Sequence, residues 1–387
     1  MLVSLLAVVM FLGSGVASSY RDLDSNIDSQ DVDQLLGTDR PEAPTPTDQA
    51  AGQPLNILLV GSDDRSGNNG VIGGTTTPGI RSDTVMVAHV SAARDRVELV
   101  SVPRDSWVKI PACELPHGAM TDPVTRKFNG AFELGGQTGD VAYAAACTIR
   151  TLESLTGVRI DAFIAVDFTG FIEMVDALGG VPICIPEDID DPQSGLQLEA
   201  GSQTLTGNQA LGYARARKTI GDGSDIGRIG RQHDFLAATL RQALSQNLLT
   251  DGPAMYRFLD AATSSLTASS NYGSIAALAG LANSLRGLEP GAVSFVTVPW
   301  VNRGDGANVL WTDEADALWA AIAADQPLTI EGDESPTPGA TAEATDPATA
   351  SGGATDAPAA DASSPEPTPS GPTLEGTTAD DGGSVCG

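Results

Sequence analysis

Two apolar runs that alternate in and out, DTVMVAHV at Asp83–Val90 and RVELVSV at Arg96–Val102, are separated only by SAARD at Ser91–Asp95. A period of two marks each as a strand, and five polar residues are too few for a crossover helix, so the strands must be antiparallel neighbours. That excludes a sheet wound only from parallel βαβ units. It also brings chemistry to one place: Asp83 opens the first strand, and Pro103, Arg104 and Asp105 follow the end of the second, at the same sheet edge. LNILLVG at Leu55–Gly61 is a third short strand, with Asp63 and Arg65 just past its end. If it runs alongside in the fitting direction, all three stretches meet at one rim.

The remaining periodicity alternates between the two kinds of element. Helices are expected over Asp140–Thr156 with Gly157 as the stop, over DFTGFIEMVDALGG from Asp167, after a cap at Thr206, over Arg231–Asn247, near Ala254–Thr267 and Tyr272–Leu285, and from Asp313 to Ala324. Strands are expected at IDAFIAVD (Ile160–Asp167), VPICI (Val181–Ile185) and AVSFVTVPW (Ala292–Trp300), and residues 106–138 read as a loop-rich excursion. Strands interspersed with helices on both faces give an α/β fold, a three-layer α-β-α sandwich around a mixed, largely antiparallel central sheet, in one domain over 55–330.

The flanks differ from that core. Residues 1–20 form an apolar run whose length lies between a signal peptide and a membrane span, so a signal-anchor, a transmembrane segment or a cleaved leader are all open, and each implies export. Residues 21–54 are polar, with a Pro/Thr cluster, and read as an extracellular linker. Beyond Ile330 the chain is Ala, Thr, Pro, Ser, Gly and acids, with no Lys or Arg after Arg303, and 331–387 reads as a disordered acidic tail. Export permits a disulfide between Cys113 and Cys147, Cys184 reads as a buried strand residue, and Cys386 in the tail reads as free or as pairing between chains.

The formal net charge is −29, which argues against nucleic acid as a partner, because a phosphate backbone needs a broad basic footprint. Against that background Thr204–Gln232 gathers Arg215, Arg217, Lys218, Arg228 and Arg231 around the loop GDGSDIG. Arginines in such a cluster can be solvated helix faces paired with acids. They can also be a fork of donors for a multiply charged phosphate group, with pyrophosphate as the first candidate. The acids Asp63, Asp83 and Asp105 beside Arg65, Arg81 and Arg104 favour the second reading, since carboxylates next to arginines suit a hard cation plus a phosphate. No P-loop, G-x-S-x-G elbow or H-E-x-x-H pair is present, and His89, His117 and His233 are scattered.

The segments NILLVGSDDR, IRSDTVMVAHV, VSVPRDSWVKIP, KFNGAFELGG, DALGGV and ALGYARARKTIGDGSDIGRIGRQ follow one another in the order and approximate spacing of the LytR-CpsA-Psr family of envelope glycopolymer ligases, which the chain resembles from about Leu55 to Leu249. The resemblance implies a magnesium-dependent phosphotransferase, with manganese as the alternative ion. Such an enzyme moves a glycopolymer from a polyprenyl-pyrophosphate carrier to peptidoglycan through a phosphodiester link, on the extracytoplasmic face of the cell membrane. Carried over by position, Asp63 and Asp83 match the metal-binding acids. Arg65, Arg81, Arg104, Arg215, Arg217, Arg228 and Gln232 match the positions around the pyrophosphate. Asp83, Arg104, Asp105 and Arg228 are the expected catalytic set, and Asp225 has a supporting role. The loop GDGSDIG departs from the Asp-Pro form common in the family, and Asp64 competes with Asp63 as the ligand. A polyprenyl chain would need an apolar groove, for which IDAFIAVD, FTGFIEMVDAL and the helix after Phe235 are the candidates. The alternatives in view are a lipid pyrophosphatase and a non-catalytic polyprenyl-phosphate-binding envelope regulator.

Overall fold

Eight strands form the central sheet of the computed structural model, which describes residues 18, 20–42, 52–62, 80–192, 194–216, 225–245, 252–330 and 372–380. In chain order they are β1 (Asp28–Gln30), β2 (Leu55–Ser62), β3 (Ser82–Val90), β4 (Val97–Ser101), β5 (Ala162–Val166), β6 (Leu266–Ser269), β7 (Val293–Thr297) and β8 (Gly376–Thr378). Across the sheet the order is β1-β6-β5-β2-β3-β4-β7-β8. The pairs β2–β3, β3–β4, β5–β6 and β7–β8 are antiparallel, while β1–β6, β2–β5 and β4–β7 are parallel. The sheet is therefore mixed with a small antiparallel majority, as the hairpin at Ser91–Asp95 requires.

Alternation along β2 and β3 separates two cores. Leu58, Val60, Val85 and Val87 face one side, where helices α2 (Gly130–Gly135), α3 (Val141–Thr156) and α9 (Asp313–Ala323) pack. Leu55, Ile57, Ala88 and Val90 face the other, covered by α6 (Asp225–Ser245) and α8 (Ile275–Ser284). The result is the expected three layers. Asp140 caps α3 by accepting from Ala142 N, and Gly157 closes it with a left-handed φ of 68°. A smaller apolar cluster joins α4 (Phe168–Ala177), α5 (Gly207–Arg215) and the ribbon Val181–Ile185/Gly201–Leu205 to Phe235 and Ala238 of α6. Thr206 and Gln209 form a capping box at the start of α5, and a Cβ on Gly207 would run into the carbonyl of Ile172, so α5 sits hard against α4.

Expectations about the two flanks and the cysteines are corrected. The stretch assigned to a linker is folded over 20–42. Leu23, Ile27, Val32 and Leu36 are buried, β1 adds to the sheet beside β6, and the short helix α1 (Asp33–Leu36) packs on α3. Arg40 seals this segment with a buried ion pair to Glu153 at 2.7 Å, and it also donates to Ile160 O. The tail is not without structure: Thr373–Leu374 pairs with Thr329–Ile330, and β8 forms the sheet edge beside β7. Its neighbours in 331–371 and 381–387 lie outside the described residues. Cys184 is half-buried and disulfide-bonded rather than a plain buried strand residue, while Cys386 lies outside the described residues.

The excursion over 106–138 also carries more structure than a loop. It holds the ribbon Trp107–Ile110/Val124–Lys127 and α2. The Cys113–Cys147 bond, spanning 34 residues, ties it to α3. Closing a loop of that length limits the unfolded chain by about 4 kcal/mol in the chain-entropy account. Residues 266–269, which the helical reading of 254–267 overlapped, leave α7 (Gly252–Ser264) and pair with β5 instead.

His233 on α6 lies against the sheet, with Nε2 2.8 Å from Ser101 Oγ and its ring 5.5 Å from that of Phe295. Burial lowers its pKa to about 4. The unfolded chain binds a proton on this imidazole near its ordinary value, so between about pH 6.5 and 4 the unfolded state takes up more protons and stability falls with pH. Above that window the contribution is complete. Denaturant unfolding of the full chain should lose about 3 kcal/mol more between pH 7 and pH 4 than the same measurement on His233→Gln.

Candidate functional site

The site forms where β2 and β3 end. Opposite Gly61 and Ser62 the register of β3 shifts, with Gly61 across from Thr84 and Ser62 across from Ser82, so Asp83 is the extra residue of a bulge. Strict alternation from Val85 and Val87 would turn Asp83 toward the α3 side. The bulge turns it instead into a pocket of about 270 Å³ that it shares with Thr84 and Met86. A register irregularity thus decides where the carboxylate acts.

Guanidinium groups converge on that carboxylate. Arg104 Nη1 donates to Asp83 Oδ1 at 2.7 Å, as the hairpin geometry anticipates, and Arg228 Nη1 lies 3.9 Å from the same oxygen. Arg228 is only 2 % exposed, in a setting where its attraction for an anion is stronger than in water. Arg215, at the last turn of α5, stacks 4.6 Å above the ring of Phe168. That cation–π contact fixes its direction without using its donors. Gln232 donates to Ala214 O at 3.2 Å, and Arg231 donates to Ala216 O, so the start of α6 is stitched to the end of α5.

The pocket has two chemically distinct ends. Asp83, Arg215, Arg228 and Gln232 line one, and Ile164, Val166, Phe171, Met174, Phe235 and Leu236 line the rest. These apolar residues come from the three segments expected to form a groove. A ligand that fits both ends is an amphiphile with an anionic head.

Around this centre lies a rim of paired charges. Asp105 is held by Lys127 Nζ at 2.6 Å and sits 3.8 Å from Arg104 Nε. Arg81 does not line the pocket; its Nη2 contacts Glu133 at 3.2 Å, and Arg126 holds the other oxygen of that carboxylate at 2.8 Å. Lys127, Arg126 and Glu133 had no assigned role in the sequence reading, although Lys127 and Glu133 both stand in KFNGAFELGG. The signal was there, but only the three-dimensional pairing gives it meaning. Asp63, Asp64, Arg65, Arg217 and Lys218 lie outside the described residues, as does the side chain of Asp225.

The donor chemistry of the described residues suits a divalent cation of the magnesium type. Among the described residues no group of three or more His, Cys, Asp and Glu gathers, which is unlike a zinc-type cage. Magnesium asks for less, one or two carboxylates with phosphate oxygens and water, and Asp83 is a carboxylate open to the pocket that the guanidiniums share.

The model of the LytR_cpsA_psr family matches residues 19–323. The chain belongs to the LytR_cpsA_psr family. Among its relatives, the cell wall biosynthesis protein LcpA of Corynebacterium glutamicum is 31% identical over 272 residues, covering 65% of this chain and 51% of that protein. The polyisoprenyl-teichoic acid–peptidoglycan teichoic acid transferase TagU of Halalkalibacterium halodurans is 33% identical over 209 residues, covering 54% of this chain and 59% of that one. The chain therefore spans little more than half the length of either. Among solved structures, a LytR-Csp2A-Psr enzyme from Actinomyces oris superposes with a TM-score of 0.51 at 20% identity, over 74% of this chain and 94% of that one, which shows the shared fold.

The arrangement predicts that inorganic pyrophosphate binds at the charged end. Arg228→Lys keeps the charge but loses the planar fork, and titration calorimetry should read an affinity about tenfold weaker or more. Arg303→Lys, on an exposed side chain paired with Asp305, should leave the affinity within about twofold.

Proposed function

We propose that this protein transfers a glycopolymer from a polyprenyl-pyrophosphate carrier to peptidoglycan, joining the two through a phosphodiester. The observation that carries the reading is that one pocket is lined both by apolar residues such as Phe171, Met174 and Phe235 and by Asp83, Arg215, Arg228 and Gln232. Family membership and the transferase activity in the name of TagU support it.

In this reading the lipid occupies the space between Phe171, Met174 and Phe235, and the pyrophosphate lies against Arg228 and Arg215. Their donors neutralise the phosphate oxygens, and the aromatic support under Arg215 holds its guanidinium in place while the head group changes charge. Magnesium would be held by Asp83 together with Asp63, and when bound it supplies charge neutralisation on the phosphates. Arg104 keeps Asp83 oriented. An acceptor hydroxyl attacks the phosphorus attached to the sugar, the bond from that phosphorus to the bridging oxygen breaks, and the polyprenyl phosphate leaves with the electron pair. The hydroxyl proton passes to a carboxylate at the rim, for which Asp83 and Asp105 are the two candidates.

We further propose that the reaction takes place outside the cytoplasm. The Cys113–Cys147 bond and the disulfide state of Cys184 support an oxidising compartment. Among the described residues no helix is long and apolar enough to cross a membrane, and the apolar run at the start of the chain lies mostly outside them.

The test is to incubate the full chain with a polyprenyl-pyrophosphate-linked saccharide, with and without peptidoglycan. A saccharide joined covalently to peptidoglycan, and only when peptidoglycan is present, is expected. Free phosphorylated saccharide in equal amount in both tubes would instead indicate a hydrolase. Chelation with EDTA should stop transfer and added magnesium should restore it, and Asp83→Asn should lower the rate by about a thousandfold.

A further inference from the structure

A second cavity, of about 750 Å³, lies on the opposite side of α6 from the apolar pocket. Arg228, Gln232, Phe235 and Leu236 face the first, whereas Ile226, Gly230, His233 and Asp234 face the second. Its other walls are the end of β7, the segment Pro299–Trp300, the start of α9, and the C-terminal strand residues Thr373–Thr377. Its size falls in the range of about 300–1,000 Å³ typical of small-ligand sites.

The wall chemistry differs from that of the first pocket. Trp300, half-buried, offers an indole face, and Thr297, Thr312, Asp234, Glu314 and Glu375 offer hydroxyls and carboxylates. Among the described residues no Lys or Arg lines it. His233 carries no charge at neutral pH, because burial lowers its pKa to about 4. An anionic ligand would meet only like charge here, and a lipid would meet too many polar groups. A ligand rich in hydroxyls, without negative charge and with an apolar face to lay on an indole, meets neither penalty. That is the description of a neutral saccharide.

Its position ties the cavity to the reacting rim. Thr297 pairs with Ser101 of β4, two residues before Pro103, and Met86 of β3 pairs with the same Ser101. Trp300 belongs to the ribbon Trp300–Asn302/Val309–Trp311, whose Val309 N donates to Asp105 O at 3.1 Å and whose Trp311 Nε1 donates to Ser106 Oγ at 2.9 Å. The wall that carries Trp300 is therefore laced to the segment that carries Arg104 and Asp105.

We propose that this cavity is the saccharide-binding subsite for the acceptor glycan, with Trp300 as its stacking platform and the C-terminal strand as part of its wall. The proposal rests on the transfer reading above for the identity of the acceptor, but not for the class of ligand, which the wall chemistry gives. The lipid-linked donor enters on one face of α6 and the neutral acceptor strand on the other, and they meet at Asp83, Arg104 and Asp105.

The test uses the full chain and an N-acetylglucosamine oligosaccharide as probe, read by titration calorimetry, beside polyprenyl phosphate as a second probe. Trp300→Ala should weaken the oligosaccharide about tenfold or more, Trp300→Phe should recover part of the loss, and both variants should bind polyprenyl phosphate as the parent does. If the parent does not bind the oligosaccharide, or Trp300→Ala binds it equally well, the subsite is refuted. Neither binding measurement depends on turnover. A chain that binds the sugar through Trp300 but transfers nothing refutes the transfer reading and keeps the subsite. A chain that transfers, with the KM for peptidoglycan unmoved by Trp300→Ala, refutes the subsite and keeps the transfer reading.

Discussion

The contact between Asp83 and Arg104 is the joint on which the site depends. It links the first residues of β3 to the residues just past β4, and it can form only because the two strands are antiparallel and in register, with Met86 opposite Ser101. A slip of one residue would turn every apolar side chain of the hairpin to the wrong core and separate the two charges at the same time. Packing and site geometry are thus fixed by one constraint. The bulge beside Gly61 and Ser62 is the one local exception, and it falls at the residue whose direction matters most.

Much of this was legible because it depends on short-range pattern. The hairpin, the helix stops, the cap at Thr206 and the mixed sheet follow from periodicity and turn chemistry, the meeting of Asp83 with Arg104 follows from the hairpin, and the groove segments came from the family resemblance. What was not legible depends on long-range partners. Leu23, Ile27, Val32 and Leu36 are too sparse in an acidic stretch to advertise a folded segment, and Val32 and Leu36 become core because they join the cluster around α3, while β1 pairs with β6. The strand Gly376–Thr378 has no apolar alternation of its own and is ordered by the open edge of β7. The bulge needs two strands to exist, so neither strand alone can show it. Arg81 shows the same limit: its motif position suggested the phosphate, and only the structure shows that its guanidinium rests on Glu133.

The chain as a whole repels anions, yet its centre is built to attract them. The repulsion is spread over an exterior screened within about 10 Å at ordinary salt, while Arg228 sits inside, where screening is weak. Locality decides the balance. Each of four described cations around the rim already has a carboxylate: Arg104 with Asp83, Lys127 with Asp105, and Arg81 and Arg126 with Glu133. These pairs hold the donors in place without a ligand, so little ordering cost is left for binding. An incoming phosphate must then compete with the carboxylates for the same donors. A site of this kind favours a highly charged ligand over a weakly charged one, because only the former repays the exchange.

Helix α6 shows how one element can serve two ligands of opposed solvation. Its residues 228, 232, 235 and 236 face an apolar pocket with a charged end, and residues 226, 230, 233 and 234 face a polar cavity. Steps of three and four residues along a helix keep each set on its own face, so neither ligand must cross the other's environment. A lipid laid among the carboxylates would strand them without water, and a saccharide laid between Phe171 and Phe235 would lose its hydrogen bonds, at a cost of about 1–3 kcal/mol for each unpaired group. In the proposed transfer, separation by the helix would sort donor from acceptor by solvation before either reaches the shared rim.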